Sequence, residues 1–315
     1  MKKNVVMMTM CLLASGAVFA SCDKKDEFDK TQNIKAYTRD TNSGTREGFM
    51  EKIGYKDGAK DDSKLNKRVS GVASNGDMLA NLEAQEYGIG YFSFDSKSDA
   101  ESKGIKLLNF EGVEPTEDSI VGGQYKLARN FNYCVAEESD ATKKLIVEAF
   151  VAFMGTSEGL TTIKANGGVA KISATTKKWA DVKRDFAGIE DDHSSITINF
   201  GGSTSVEKIA KALSSQFKSL AGNFNANHNH AGSGDAFKKT QGSEKGALDI
   251  GFASRDFHTT GDEALKEGTY GTLCVDGIVI GVSNKNPMTD ITAAQAKAIY
   301  DVSDTTANTW ADLIK

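Results

Sequence analysis

From Asn33 onward the chain alternates short apolar runs with amphipathic ones. Ile34–Thr38, Tyr87–Phe94, Asn132–Val135, Ile196–Phe200, Ala247–Ala253 and Gly271–Ser283 read as strands. Between them, Val206, Ile209, Ala210, Leu213, Phe217 and Leu220 recur at steps of three and four over Ser205–Leu220. That spacing is one buried helical face. Ala141–Met154 repeats the pattern with Leu145, Ile146, Ala149, Phe150 and Phe153. The alternation predicts α/β layers, with helices covering a sheet. Residues 170–195 break it. That stretch is charged, with Trp179, Val182 and Phe186 as its few apolar anchors, and reads as a linker that carries a short helix.

The first residues follow another logic. Lys2 and Lys3 precede an apolar stretch from Val5 to Ala20, and the chain turns polar right after Cys22. Residues 1–21 read as a secretory signal too short for a membrane span. Small residues just before Cys22 look like a bacterial lipoprotein signal, with Cys22 as the lipidated first residue and 22–32 as a tether. Ordinary cleavage with Cys22 free is the alternative.

Composition narrows the partners. Of 315 residues, 38 are Lys or Arg and 43 Asp or Glu, with 39% hydrophobic. That is an ordinary globular composition. The net charge of −5 becomes more negative once Lys2 and Lys3 leave, which argues against nucleic acid as a partner. Cys134 and Cys274 lie in apolar runs and read as buried free thiols, although one disulfide is arithmetically possible.

Candidate chemistry gathers where strands hand over to helices. Gly201-Gly202-Ser203-Thr204-Ser205, Gly232-Ser233-Gly234-Asp235 and Arg39-Asp40-Thr41-Asn42-Ser43-Gly44-Thr45-Arg46 share one design. Free backbone N–H groups at a helix start bind anions, glycine permits close approach, and hydroxyl or guanidinium groups add donors. A single such motif is explained by helix capping; several in one chain point to an oxyanion pocket. Asp249-Ile250-Gly251-Phe252-Ala253-Ser254-Arg255-Asp256 adds Ser254 and Arg255 as donors. Asp256 is either an acceptor or an orienting partner. A carboxylate there accepts from protonated phosphate and repels sulfate.

Two other readings compete. Ser233 sits one position off a nucleophile-elbow pattern, with His228 and His230 nearby. The two histidines also fit a metal site if they share a strand face, but a polar loop explains them with less. No enzyme activity, cofactor or metal is expected.

In order along the chain, Gly-Ser-Thr-Ser-Val at 202–206, Gly-Ser-Gly at 232–234, the segment 249–256, Asp-Gly-Ile-Val-Ile-Gly-Val at 276–282, Asn286-Pro287 and Thr309-Trp310-Ala311-Asp312-Leu313 resemble the first half of PstS-type phosphate-binding proteins. Arg39 with Ser43-Gly44-Thr45-Arg46, Ser74-Asn75-Gly76, Gly88-Ile89-Gly90-Tyr91 and Gly112-Val113-Glu114-Pro115-Thr116 resemble the second half. The halves are swapped, which implies a circularly permuted, two-lobed periplasmic-binding-protein-like (type II) fold with its cleft between lobes. Lobe one would comprise 128–280, including the 170–195 segment that joins the family's usual ends. Lobe two would comprise 33–127 plus 281–315.

By that resemblance Thr204, Ser205 and Ser233 donate from lobe one with the Ser254–Asp256 region, and Arg39, Ser43, Gly44 and Thr45 from lobe two. The motif around Asp256 is one residue longer than the family version with an acidic ligand, so Ser254 or Arg255 is an alternative for that place. The implied function is an extracytoplasmic, lipid-anchored, monomeric receptor that delivers inorganic phosphate to ABC permease subunits. Alternatives are another oxyanion, sulfate or molybdate, and a surface lipoprotein acting as sensor or adhesin.

Overall fold

The computed structural model describes residues 27–138, 140–258 and 263–314. The expected signal at 1–21, Cys22 and the start of the tether lie outside them. Among the described residues, ten strands form one curled mixed sheet. They are β1 (Lys35–Arg39), β2 (Ser70–Val72), β3 (Gly88–Ser93), β4 (Ile105–Phe110), β5 (Ala128–Val135), β6 (Thr197–Gly202), β7 (Asn225–Asn229), β8 (Ile250–Ala253), β9 (Tyr270–Ser283) and β10 (Asp290–Ile291). The order is β2-β1-β3-β9-β5-β8-β6-β7, with β4 pairing both β9 and β10.

Two apolar cores form on this sheet. One draws on residues from Phe28 to Leu127, on Val169, and on Ile278 to Leu313. The other runs from Phe131 to Cys274. Two strands pass between them. β5 leaves the first core at Leu127 and enters the second at Phe131, while β9 leaves the second at Cys274 and reaches the first at Ile278. They pair antiparallel, with a register shift between Phe131 and Asn132. The last residues of β9 also pair with β3 and β4, so one long strand serves both bodies.

The helices bury the predicted faces. Ala141–Met154 starts on Asp140, whose carboxylate accepts from the N–H groups of Thr142 and Lys143, and it buries Ile146, Phe150 and Phe153. Glu207–Lys218 buries Ile209, Ala210, Leu213 and Phe217 on the same core. Phe150 packs edge-on against both Phe200 and Phe217. The charged 170–195 stretch holds a short helix, Trp179–Val182; of its apolar anchors Trp179 is buried, and Val182 and Phe186 are half-buried against the second core. Trp179 lies 5.3 Å from the Phe217 ring and is buried with Ile189. The strand β7 lacks an apolar alternation because it is an edge: it pairs only with β6 and exposes Asn225, Asn227 and Asn229. Cys134 and Cys274 are buried free thiols.

The two ends of the described chain meet. Asn33 and Thr309 form an antiparallel bridge, flanked by Trp310 N–H donating to Gln32 O and Ala311 N–H to Lys30 O. Trp310 is fully buried in the first core and donates its indole N–H to Tyr87 O.

Phe150→Ala removes a ring at the centre of the second core. It should cost about 3–5 kcal/mol, read as a lower denaturant midpoint.

Candidate functional site

The donor-rich loops all arrive at the seam between the two cores. β1 ends in Arg39, and the turn after it leads into the helix Gly44–Lys52. Ser43 caps that helix, its Oγ accepting from the N–H groups of Thr45 and Arg46 at 3.2 and 3.4 Å. Arg46, buried, donates to Arg39 O and Gly58 O and so braces the turn from behind. From the second core, β6 delivers Ser203, Thr204 and Ser205, the turn before Gly234–Thr240 delivers Ser233, and β8 delivers Ser254.

These loops bond across the seam. Arg39 Nη2 donates to Thr204 Oγ1 at 2.7 Å and to Ala73 O, while its Nη1 donates to Asn75 Oδ1. Its buried Nε has no partner. Thr45 Oγ1 and Ser205 Oγ are 2.8 Å apart. Ser233 Oγ accepts from Ser254 N–H at 2.9 Å and lies 3.1 Å from Ser254 Oγ. Gly44 closes the contact: a Cβ there would lie 2.4 Å from Ser233 Oγ. Thus Arg39, Ser43, Gly44, Thr45, Thr204, Ser205, Ser233 and Ser254 come together in one cluster of buried hydroxyl, amide and guanidinium groups. Such a cluster is suited to a small oxyanion, because it offers many fixed donors in a dry place.

Arg255 and Asp256 are placed differently. Arg255 is bidentate on Glu263 at 2.8 and 2.6 Å and lies 3.1 Å from Glu47, a residue of the Gly44–Lys52 helix. It ties the two cores through carboxylates instead of joining the hydroxyl cluster. Asp256 accepts from the side-chain amides of Asn130 and Asn132 at 3.3 and 3.0 Å. The carboxylates explain the placement of Arg255, since a guanidinium prefers a planar bidentate partner to isolated hydroxyls, and the two asparagine amides supply the donors for Asp256.

The sequence reading passed over Arg129, Asp276 and, as a ligand, Asn75. Arg129 sits on β5, donates Nε–H to Asp276 on β9 at 2.9 Å and Nη1–H to Thr45 Oγ1 at 3.0 Å. Asp276 also accepts from Ser93 Oγ. A lone Arg in a strand carries no motif, whereas Asp276 stands in the Asp-Gly step of 276–282. Asn75 was visible as the middle of Ser74-Asn75-Gly76.

The histidines form a ladder rather than a polar loop. His228 stacks on Phe200, His230 on His228, and Phe252 follows. His230 Nδ1 lies 3.0 Å from Ser203 O. Burial pushes His228 down to about 4. Ser233 Oγ bonds Ser254 and not an imidazole. Among the described residues, no group of three or more His, Cys, Asp or Glu converges as a metal site would.

Two cores joined by crossing strands, with donors converging at the seam, make a two-lobed architecture of the type II class. No family model matches the chain. It is 27% identical over 319 residues to the phosphate-binding protein PstS 2 of Streptococcus pneumoniae, covering 98% of each chain. It is 25% identical over 322 residues to PstS 2 of Streptococcus agalactiae, covering all of both. A crystal structure of a phosphate-binding protein of a phosphate ABC transporter from Streptococcus pneumoniae matches with a TM-score of 0.65 at 23% identity, over 90% of this chain and all of that one. The chain is thus similar to PstS-type phosphate-binding proteins over its whole length and has a two-lobed type II fold. Its segments run in the same order as in the PstS 2 relatives, since single alignments span both from end to end.

A second buried carboxylate, Asp95, lies beneath the crossing strands. Burial and then the neighbouring charge of Asp276 push it up to about 7, against a usual 3.8. Between those values the folded protein holds a proton that the unfolded chain has released, so this group's contribution to stability falls as pH rises from about 4 to 7. Asp95→Asn should therefore raise the melting temperature by a few degrees at pH 8, and the gain should shrink toward pH 4.

Proposed function

We propose that this chain is a phosphate-binding receptor that presents inorganic phosphate to an ABC importer. The names of its full-length relatives support the ligand. The cross-seam cluster of Arg39–Thr204 and Thr45–Ser205 is the observation that carries the reading. In it, Arg39, Ser43, Gly44, Thr45, Thr204, Ser205, Ser233 and Ser254 surround the anion with donors, and the hydrogen bonds they now make to each other are exchanged for bonds to its oxygens. Residues 33–127 plus 281–315 form one lobe and 128–280 the other, and β5 and β9 flex as the cleft opens. Arg255 with Glu47 and Glu263 latches the closed rim. The receptor works as a monomer on the extracytoplasmic face, tethered through a lipid on Cys22, and hands its cargo to permease subunits. The net charge of −5 opposes long-range attraction of an anion, so affinity comes from the local donors.

One observation favours a second oxyanion reading. Asp256 is engaged by Asn130 and Asn132, so no carboxylate of the predicted set stands in the hydroxyl cluster to greet a protonated ligand. Sulfate therefore deserves titration beside phosphate.

Calorimetric titration with phosphate, arsenate and sulfate tests the reading. Phosphate should bind at about micromolar or tighter. Arg39→Ala should weaken it by about 2 kcal/mol or more, as for a buried charge-assisted contact. The absence of both heat and a melting shift with phosphate would overturn the proposal. Gly44→Ala should weaken phosphate at least tenfold with little change in melting temperature, because its Cβ wedges the lobes apart while each core stays intact.

A further inference from the structure

The hydrogen-bond directions around Thr45 assign a task to Arg129. A guanidinium N–H can only donate, so in the 3.0 Å contact between Arg129 Nη1 and Thr45 Oγ1 the hydroxyl is the acceptor. Thr45 has a single hydroxyl hydrogen. With one lone pair occupied by Arg129, that hydrogen is turned away from the guanidinium, and Ser205 Oγ at 2.8 Å is the acceptor within its reach. Ser205 Oγ then accepts, and also lies 3.5 Å from the Asn75 amide nitrogen, another donor. Its own hydrogen is left for the space in front of it.

The same polarity is set independently nearby. Arg39 Nη2, donor only, faces Thr204 Oγ1, and Ser254 N–H faces Ser233 Oγ. Each hydroxyl that receives such a bond must send its hydrogen elsewhere.

Arg129 is built to hold this direction. Its Nε–H and Nη2 engage Asp276, a fully buried carboxylate on the neighbouring crossing strand, whose other oxygen accepts from Ser93. Its guanidinium carbon lies 5.2 Å from the Phe131 ring centre. Resting on the proposed receptor function, we propose that Arg129, anchored by Asp276, is a positioning residue that fixes the relay Arg129→Thr45→Ser205. Within the relay, Ser205 keeps its hydrogen for an incoming oxyanion. When the anion enters, Thr45 turns its hydrogen from Ser205 to a ligand oxygen while still accepting from Arg129.

A double-mutant cycle on the full chain, read by phosphate calorimetry with melting curves alongside, tests the relay. Arg129→Lys keeps the positive charge near Asp276 but shortens the reach to Thr45. It should weaken phosphate binding about tenfold in the natural chain. The same loss should appear in Thr45→Ser, which keeps the hydroxyl, but should fall below about threefold in Thr45→Val, which has none to orient. Asp276→Asn, a second route that spares the arginine, should show the same dependence on Thr45 if Arg129→Lys fails to fold. Equal losses in the Thr45→Ser and Thr45→Val backgrounds, or no loss in the natural chain, would overturn the relay while leaving the receptor intact. Failure of the natural chain to bind phosphate would overturn the receptor reading, and the relay with it.

Discussion

A buried guanidinium cannot shed its proton, so it must be given acceptors, and the demand of Arg39 for them organises the seam of this protein. Its N–H groups reach Asn75, Ala73 O and, across the seam, Thr204. The turn that holds it is in turn braced by Arg46, and Tyr91, stacked on Phe49, supports the end of β1 through Thr38 and the Arg39 N–H. One core supplies the cation and the other supplies the hydroxyl. Neither body alone satisfies the arrangement, which is why its chemistry lies at their junction.

Charge is also placed where the bodies are joined. Arg129 and Asp276 sit on β5 and β9, the strands that connect the cores, with Asp95 beside them. A buried ion pair stabilises little by itself because desolvation offsets much of the attraction. Here its position matters more, because it couples the crossing strands to a hydroxyl of the donor cluster. Arg255 does comparable work at the rim, spanning from β8's end to Glu47 on the opposite body.

Much of this was legible in the sequence, for physical reasons. Apolar periodicity marked β1, β3, β6 and the helices over 141–154 and 207–218, since their burial is one-sided or complete. Gly and hydroxyl residues at strand ends marked the donor loops, and Thr45 and Ser205, far apart in sequence, do meet. What escaped depended on long-range partners. Arg129 carries no local signature, and its role exists only once β5 lies beside β9. Arg255 looked like a ligand until Glu47 and Glu263 were placed next to it. The edge strand β7 was hidden by its asparagines, and the seating of Trp179 by the charged residues around it. The motifs alone read as halves swapped relative to the family pattern, whereas the streptococcal relatives align with this chain from end to end, so against them no segment changes place.

The pairing of Asn33 with Thr309 places both ends of the described chain on a single body. Force applied at either end is therefore borne by that body and does not load β5 or β9. Thr204, Ser205 and Ser233 lie on the other body, which is joined to that one through β5 and β9. A fluorophore or surface linker attached at either end would report on, or restrain, only the body that holds both ends and leave the crossing strands unloaded.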